Sequence, residues 1–191
     1  MYNEMSVSIV GVCPLLMHSG RMANPLDEYA KALKEISGKR KKTDQDHYDM
    51  AKIEFMASLY TNEDGKVIIP GMCLEGVVVD GAKKTKCGKI AKSGVIIEDD
   101  PILNYEGPKS AEGLFDDKNF VDSRLVKVQT ARIVRTRPIF KDWSVDFKLL
   151  YNDEACNERD IKQWLEDGGS LCGLCDYRPR YGRFIVEINF L

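Results

Sequence analysis

The segment from Trp143 to Tyr151 alternates cleanly between apolar and polar side chains. Successive side chains of a β-strand point to opposite faces of a sheet, so this pattern predicts a strand with one buried face. Residues 183–191 alternate in the same way. The inward-facing positions of the two segments would be Val145, Phe147, Leu149 and Tyr151, and Phe184, Val186, Ile188 and Phe190. Such strands require a sheet that is covered on one face.

Further strand and helix patterns precede these segments. Runs of β-branched and apolar residues predict strands over 6–13, 67–69, 95–97 and 125–134. Helix-start signals stand at Asn24-Pro25, Thr43 and Asn157, and residues 72–82 have a weaker helical pattern. The order of these elements predicts an α+β fold, in which βαβ pieces form a ferredoxin-like, RRM-type antiparallel sheet with helices on one face.

The chain length predicts one domain. A chain of 191 residues can bury a sizeable core, and no linker or internal repeat divides it, so we expect a single domain over residues 1–191. Residues 21–60 would form a helical insertion. Residues 98–122 are acidic and contain Pro and Gly, which predicts an excursion outside the core.

Composition excludes several classes of protein. The sequence has no apolar run of membrane-spanning length and no signal-peptide pattern, so we expect a cytoplasmic protein without membrane contact. Its six cysteines are then expected to be reduced thiols. Cys172 and Cys175 have the spacing of half a zinc site, but no second pair completes it, so no metal or other cofactor is expected.

Positive charge is concentrated in four segments. The net charge is −2, yet the segments 39–42, 83–92, 124–141 and 178–183 contain 18 of the 28 Lys and Arg residues and no acidic residue. Such segregation permits a basic face on a mildly acidic protein. Solvated surface loops are the alternative explanation for each segment taken alone.

The segment from Tyr177 to Phe184 combines cations with aromatic rings. A guanidinium matches phosphate geometry with a fork of donors, and an aromatic face can stack on an unpaired base. The strand pattern also places Arg135 and Arg137 on one face. The predicted nucleic-acid contacts are Lys39, Arg40, Lys41, Lys42, Lys83, Lys84, Lys86, Lys89, Arg132, Arg135, Arg137, Tyr177, Arg178, Arg180, Tyr181 and Arg183. Pairing of these arginines with carboxylates, or a charge-guarded edge strand, remains open.

A helix start adds a further anion site to this prediction. The strand pattern at 67–69 ends at Pro70-Gly71 and a helix follows at once, so free N–H groups are expected there. Lys83, Lys84 and Lys86 would lie near the far end of that helix.

Three short motifs resemble those of the RAMP superfamily of CRISPR-associated proteins. They are Ile69-Pro70-Gly71 followed by Leu74-Glu75-Gly76, the segment from Cys172 to Phe184 ahead of the last strand, and Leu15 to Gly20 after the first strand. The chain is most similar to the Cas7-like backbone branch. The resemblance implies an RRM-type palm, a thumb at about 98–122, and head-to-tail self-assembly along single-stranded RNA or DNA. It also implies possible CRISPR-type or phage protein partners.

Two other functions remain open at this stage. Some members of the RAMP superfamily are metal-independent ribonucleases with a histidine base, and the resemblance makes His18 the candidate for that role. Some Cas7-type members cleave bound RNA with a loop aspartate after the first strand, and the resemblance makes Asp27 the candidate. No Ser-His-Asp order or pair of catalytic acids stands out otherwise, so we expect no enzyme. The second alternative is a protein-binding module that mimics a Cas7-like subunit.

Overall fold

The computed structural model describes residues 1–128 and 131–189. Its larger sheet has four antiparallel strands in the order β3-β6-β1-β7. These strands are β1 (Tyr2–Gly11), β3 (Val95–Ile96), β6 (Ser144–Asn152) and β7 (Phe184–Asn189). The predicted strands at 6–13, 95–97, 143–151 and 183–191 are therefore present within a few residues. The central strand β1 pairs with both β6 and β7.

A second, three-stranded sheet has the order β2-β5-β4. It consists of β2 (Leu15–Leu16), β4 (Val121–Val128) and β5 (Ala131–Phe140). The whole of β4 pairs antiparallel with β5, and the last two residues of β5 pair with β2. The prediction of one continuous strand over 125–134 is wrong, because the chain forms two strands there. The residues between Leu125 and Val134 include no Gly, Pro, Asn or Asp, so the sequence carries no usual turn signal.

Six α-helices accompany these sheets in the described part of the chain. They are α1 (Glu28–Ser37), α2 (Asp44–Ser58), α3 (Gly71–Ala82), α4 (Gly88–Gly94), α5 (Ala111–Asp116) and α6 (Glu158–Asp167). Thr43 and Asn157 each form a capping box at the start of α2 and α6, as predicted. Asp27 caps α1 in place of the predicted Asn24. The α+β class is confirmed.

The core is a single cluster of buried apolar side chains. The four predicted inward positions of β6 are buried, at 0% to 6% exposure. The inward positions Phe184 and Val186 also face this cluster, whereas the side chain of Ile188 and residue Phe190 lie outside the described set. The segment 98–122 contributes Leu103, Leu114 and Phe120 to the core, so the expectation that it lies outside the core is wrong for these residues.

Three segments differ in secondary structure from the elements predicted for them. Val67 and Ile68 make isolated bridges to Thr61 and Ile102 instead of a regular strand. The predicted basic loop 83–92 is a 3₁₀ turn followed by α4. Gly168-Gly169 ends α6 but continues as a π-helical turn to Cys172. No helix among the described residues is both long and apolar enough to span a bilayer.

Candidate functional site

A broad groove opens between α3, α4 and the loop 173–183. It has a cavity volume of about 1180 Å³. Five cationic side chains and three acidic side chains line it: Lys83, Lys86, Lys89, Lys92 and Arg178, and Glu75, Asp80 and Asp176. We call this cavity the lysine groove. Four of its cations, all except Lys92, are among the predicted nucleic-acid contacts.

The four lysines reach the same groove because they recur every third residue. Lys83 lies in the 3₁₀ turn that follows α3, and Lys86 is in the left-handed conformation with φ +63° at the end of that turn. Lys89 and Lys92 lie on α4. Residues three apart are neighbours on a helix surface, so the spacing aligns Lys89 with Lys92. Lys84 falls outside this spacing and is not among the lining residues.

The N-terminus of α3 already binds a carboxylate of the chain. The Gly71 N–H donates to Asp100 Oδ1 at 2.7 Å. One turn later, Glu75 Oε1 accepts a hydrogen bond from the Ile97 N–H at 2.8 Å. The expectation of a free anion site at Gly71 is therefore wrong, because Asp100 occupies the position that a phosphate would take.

The loop 173–183 is fixed by hydrogen bonds within itself and to the segment between β1 and β2. The Leu174 N–H donates to Gly182 O at 2.8 Å, and the Gly182 N–H donates to Pro14 O at 2.9 Å. Gly182 has φ +72°, and a Cβ there would lie 2.0 Å from Leu174 O. This position therefore requires glycine. The loop is a rigid wall of the lysine groove, and Arg178 projects from it into the lining.

Tyr177 and Tyr181 form an aromatic pair on the same loop. Their ring centroids are 5.7 Å apart. The guanidinium of Arg124, on β4, lies 5.5 Å and 5.1 Å from the two ring centroids and donates to Tyr181 Oη at 2.9 Å. Hydrogen bonds to Asp122 raise the pKa of Arg124 above its ordinary value, so it stays charged. Sequence reasoning did not select Arg124, which lies more than fifty residues away from the tyrosines.

The three loop arginines have different surroundings. Arg178 Nη1 donates to Asp80 Oδ2 at 3.1 Å, and Asp80 also pairs with Lys83 at 2.7 Å. Arg183 Nε donates to the carbonyl oxygen of Pro179 at 2.8 Å. Arg180 is exposed. Of the three, only Arg178 lines the lysine groove.

Arg135 and Arg137 share a face, as predicted, but their guanidiniums pair with carboxylates of the chain. Glu54 of α2 accepts hydrogen bonds from Arg135 Nη1 at 2.5 Å and from the Thr136 N–H at 3.0 Å. Arg137 Nη1 lies 2.8 Å from Asp176 Oδ2, and its side chain is 10% exposed. These are the carboxylate pairs that the sequence left open. Neither arginine is among the groove-lining residues.

The other face of the β4–β5 hairpin is exposed. Leu125 and Val134 are direct cross-strand neighbours and are 65% and 57% exposed. On the same face, exposed Lys127 lies opposite exposed Arg132. We call these four residues the outer face of the hairpin. These two cations lie directly opposite each other and repel. An anion bound between them would relieve the repulsion, so this face attracts anions.

The basic segment 39–42 lies between α1 and α2 and does not contribute to the groove lining. Lys39 Nζ pairs with Asp46 Oδ1 at 2.5 Å, and Lys42 Nζ donates to the carbonyl oxygen of Lys39 at 3.0 Å. Hydrogen bonds from Lys39 and the Thr43 N–H lower the pKa of Asp46 to about 2. Lys39 therefore joins the two helices, while Arg40 and Lys41 are exposed.

His18 lies at the edge of the lysine groove. Its Nδ1 is 3.3 Å from Ser58 Oγ. Burial of the ring, with the nearby positive charge of Arg137, lowers the pKa of His18. The imidazole is therefore neutral at pH 7 and able to accept a proton.

Asp27, the second catalytic candidate, has a structural position. Its carboxylate accepts hydrogen bonds from the Tyr29 N–H and from Arg21 Nε, both at 2.9 Å. Burial raises the pKa of Asp27, but the bonds from Arg21 and Tyr29 outweigh burial and leave the pKa below its ordinary value. Asp27 is not among the residues that line the groove.

The thiols and the metal-ligating groups of the described residues form no metal site. All six cysteines are free, and no cluster of three or more His, Cys, Asp or Glu side chains within 1–128 and 131–189 could hold an ion.

No protein-family model matches the sequence. A search of curated proteins also finds no significant match.

Proposed function

We propose that this protein binds single-stranded RNA or DNA along the lysine groove without strong sequence preference. One observation carries the proposal. Five cations line a single groove with three acids, although the whole chain has a net charge of −2. A row of cations on a rigid surface neutralises successive phosphates irrespective of sequence.

The groove electrostatics favour a long anion over a small one. Asp80 already neutralises part of the charge of Lys83 and Arg178. Lys86, Lys89 and Lys92 also line the groove, recur every third residue after Lys83 and are exposed. A ligand that uses all of these cations must be extended, and a single-stranded nucleic-acid backbone has that shape.

The tyrosine pair supplies a surface for bases. Tyr177 is 48% exposed, and Arg178 next to it in the chain lines the groove. Arg124 contacts the pair from β4 and holds it in place. Stacking of an unpaired base on Tyr177 would contribute about 1–3 kcal/mol, independently of which base is present.

We assign the larger sheet to the ferredoxin-like arrangement. The motif βαββαβ is formed, in chain order and with other elements between, by β1, α3, β3, β6, α6 and β7. The antiparallel strand order β3-β6-β1-β7 fits that motif. This order supports the proposed membership in the RAMP superfamily and its Cas7-like branch. Helices α1 and α2 form the proposed insertion.

We infer that the β4–β5 hairpin, rather than segment 98–122, reaches toward a neighbouring copy. Its outer face exposes the apolar pair Leu125 and Val134 beside the cation pair Lys127 and Arg132. An acidic surface of the next copy, such as the exposed Glu98 and Asp99, would complement these charges. Contacts of this head-to-tail kind do not close and produce filaments along the bound strand.

A salt titration tests the proposed function directly. Binding of fluorescent 20-nucleotide RNA and DNA to the full chain is measured by anisotropy between 25 and 300 mM salt. About four or five phosphate contacts predict a slope of log K against log salt near −3 for a single strand. Absence of binding at 25 mM salt would overturn the proposal, and binding limited to one base composition would overturn its sequence tolerance.

A metal-independent ribonuclease is the second candidate. It is favoured by the position of His18 in the groove lining and by the lowered pKa that keeps the imidazole neutral. Cleavage of end-labelled RNA in EDTA by the wild type, and its loss in His18→Ala with binding retained, would support this activity. RNA that is bound but stays intact would exclude it.

A further inference from the structure

Two cysteines from distant parts of the chain meet in the wall of the lysine groove. Cys73 lies in the first turn of α3, and Cys175 lies in the loop 173–183. Both line the groove and both are partly exposed. The two thiols are neighbours in this wall, and each shifts the pKa of the other. Phosphate binding by the groove lysines uses neither thiol.

The surroundings give the two thiols opposite acidities. The neighbouring Cys175 thiol and Tyr60 hydroxyl, together with the charge of Arg178, lower the pKa of Cys73 to about 7 despite its burial. The neighbouring Cys73 thiol and burial raise the pKa of Cys175 well above its ordinary value. At neutral pH, Cys73 is therefore partly a thiolate while Cys175 remains a thiol. The other titratable and charged groups around the pair are His18, Tyr60, Glu75, Asp80, Asp100, Asp176 and Arg178.

The backbone holds both partners in position. Cys175 has φ +60°, and the backbone N–H groups of the residues on either side of it are hydrogen-bonded. The Leu174 N–H donates to Gly182 O at 2.8 Å, and the Asp176 N–H donates to Leu16 O at 2.9 Å. Cys73 is fixed by the helix. A thiolate that is held against a second thiol and reached from an open groove is the arrangement found in redox-reactive cysteine pairs.

We propose that Cys73 and Cys175 are a peroxide-reactive pair that closes to a disulfide across the groove wall. The Cys73 thiolate attacks one oxygen of hydrogen peroxide, the O–O bond breaks, and hydroxide leaves and is protonated to water. The Cys73 sulfur is then a sulfenic acid. The Cys175 sulfur attacks it, gives up its proton, and the S–O bond breaks to release a second water. Hydrogen peroxide is reduced and the two thiols are oxidised.

The disulfide would link α3 covalently to the loop that carries Arg178 and Tyr177. In the reduced protein, an ion pair between Arg178 and Asp80 joins this loop to the helix. A cellular dithiol reductant would reverse the link by thiol–disulfide exchange, as expected for a transient disulfide in a reducing compartment.

Peptide mapping tests the link without reference to nucleic acid. The full chain is treated with a small molar excess of hydrogen peroxide at pH 7, its remaining thiols are alkylated, and its tryptic peptides are analysed by mass spectrometry. We expect a Cys73–Cys175 linked peptide from the wild type and from Cys87→Ser, and none from Cys73→Ser. A Cys172–Cys175 link, an intermolecular link, or no link would overturn the proposal.

The intermediate and the thiolate are tested separately. In Cys175→Ser, we expect dimedone to label Cys73 after peroxide treatment, because no second thiol consumes the sulfenic acid. In the untreated wild type, we expect iodoacetamide to alkylate Cys73 at pH 7 about fivefold faster than a short cysteine peptide. A rate at or below that of the peptide would show that Cys73 is not activated and would overturn the proposal, whatever the variants do.

Discussion

Positive charge is concentrated both at Arg135 and Arg137 of β5 and in the lysine groove. The two regions differ in whether carboxylates of the chain pair with these cations. Arg135 is paired with Glu54, and Arg137 with Asp176, so these cations are neutralised within the fold. In the described part of the chain, Lys89 and Lys92 form no such pair and are exposed in the groove. Basic segments that look alike in the sequence therefore have different roles, since some of their cations are paired within the fold and others are exposed. A carboxylate far away in the chain decides whether a cation is available to a ligand.

The largest expected effect is on stability, at the contacts that Glu54 makes with β5. Glu54→Ala removes the carboxylate that accepts from Arg135 and from the Thr136 N–H, leaving a largely buried charge and a buried donor without partners. We expect a loss of about 3 kcal/mol in the free energy of unfolding, measured by urea denaturation.

Glu28→Ala is the matched control for Glu54→Ala. Glu28 also pairs with an arginine, Arg21, but its side chain is 77% exposed. We expect a change below about 1 kcal/mol. Equal losses in the two variants would contradict the distinction between a buried structural pair and a surface pair.

The next effect is on binding and should leave stability nearly unchanged. Charge reversal in Lys89→Glu with Lys92→Glu replaces two groove cations by anions. We expect affinity for a single-stranded oligonucleotide to fall about thirtyfold at low salt, with a shallower salt dependence, because fewer counterions are released on binding.

The control for this variant carries the same change in net charge. Lys31→Glu with Lys34→Glu alters two exposed lysines of α1, outside the groove lining. We expect less than a threefold loss of affinity in the anisotropy assay. A loss as large as that of the groove variant would show that net charge, and not the groove, governs binding.

A smaller effect is expected at the tyrosine pair. Tyr177→Ala removes a half-exposed ring and should weaken oligonucleotide binding about five- to tenfold, through lost stacking. Tyr2→Ala removes a ring of equal exposure, 48%, from the start of β1 and should leave affinity unchanged. If both variants bind like the wild type, bases do not stack on Tyr177.

The smallest effect concerns Asp46 and appears only in acid. The pKa of Asp46 is lowered from 3.8 to about 2, so its ionised form stabilises the fold above pH 4. That contribution is lost as the pH falls from about 4 to about 2. The stability difference between the wild type and Asp46→Asn should therefore shrink over this range in urea midpoints measured at several pH values.

Asp64→Asn removes an exposed turn carboxylate and is the control for Asp46→Asn. If its difference from the wild type shrinks by the same amount, the acid sensitivity comes from the general loss of negative charge. If only Asp46→Asn changes, Lys39 is confirmed as a structural lysine that joins α1 to α2.

Local signals predicted much of the fold. Thr43 and Asn157 start helices because a capping box needs only four consecutive residues, and the alternation in β6 identifies its buried face without knowledge of its partners. The β4–β5 hairpin was missed because the residues that join its strands lack the usual turn formers. The burial of Leu114 and Phe120 was missed because acidic and Gly residues surround them.

The candidate site was less predictable, since its partners are distant in sequence. The lysine spacing and the loop arginines could be identified from sequence, but Asp80, Asp100 and Glu54 could not be assigned to Arg178, Gly71 and Arg135. Arg124 reaches the tyrosine pair only through the pairing of β4 with β5. These contacts depend on the tertiary structure, and a basic segment of the sequence does not predict them.

The position of β1 in the sheet has a consequence for synthesis on the ribosome. β1 emerges well before its partner β7, which begins at Phe184, and their pairs join residues as distant as Ser6 and Asn189. Such long-range pairing makes folding slow and leaves one edge of β1 open until β7 arrives. The loop 173–183 lies just ahead of β7, so it is fixed at the same late step. A ribosome-bound nascent chain that lacks β7 should therefore have no groove.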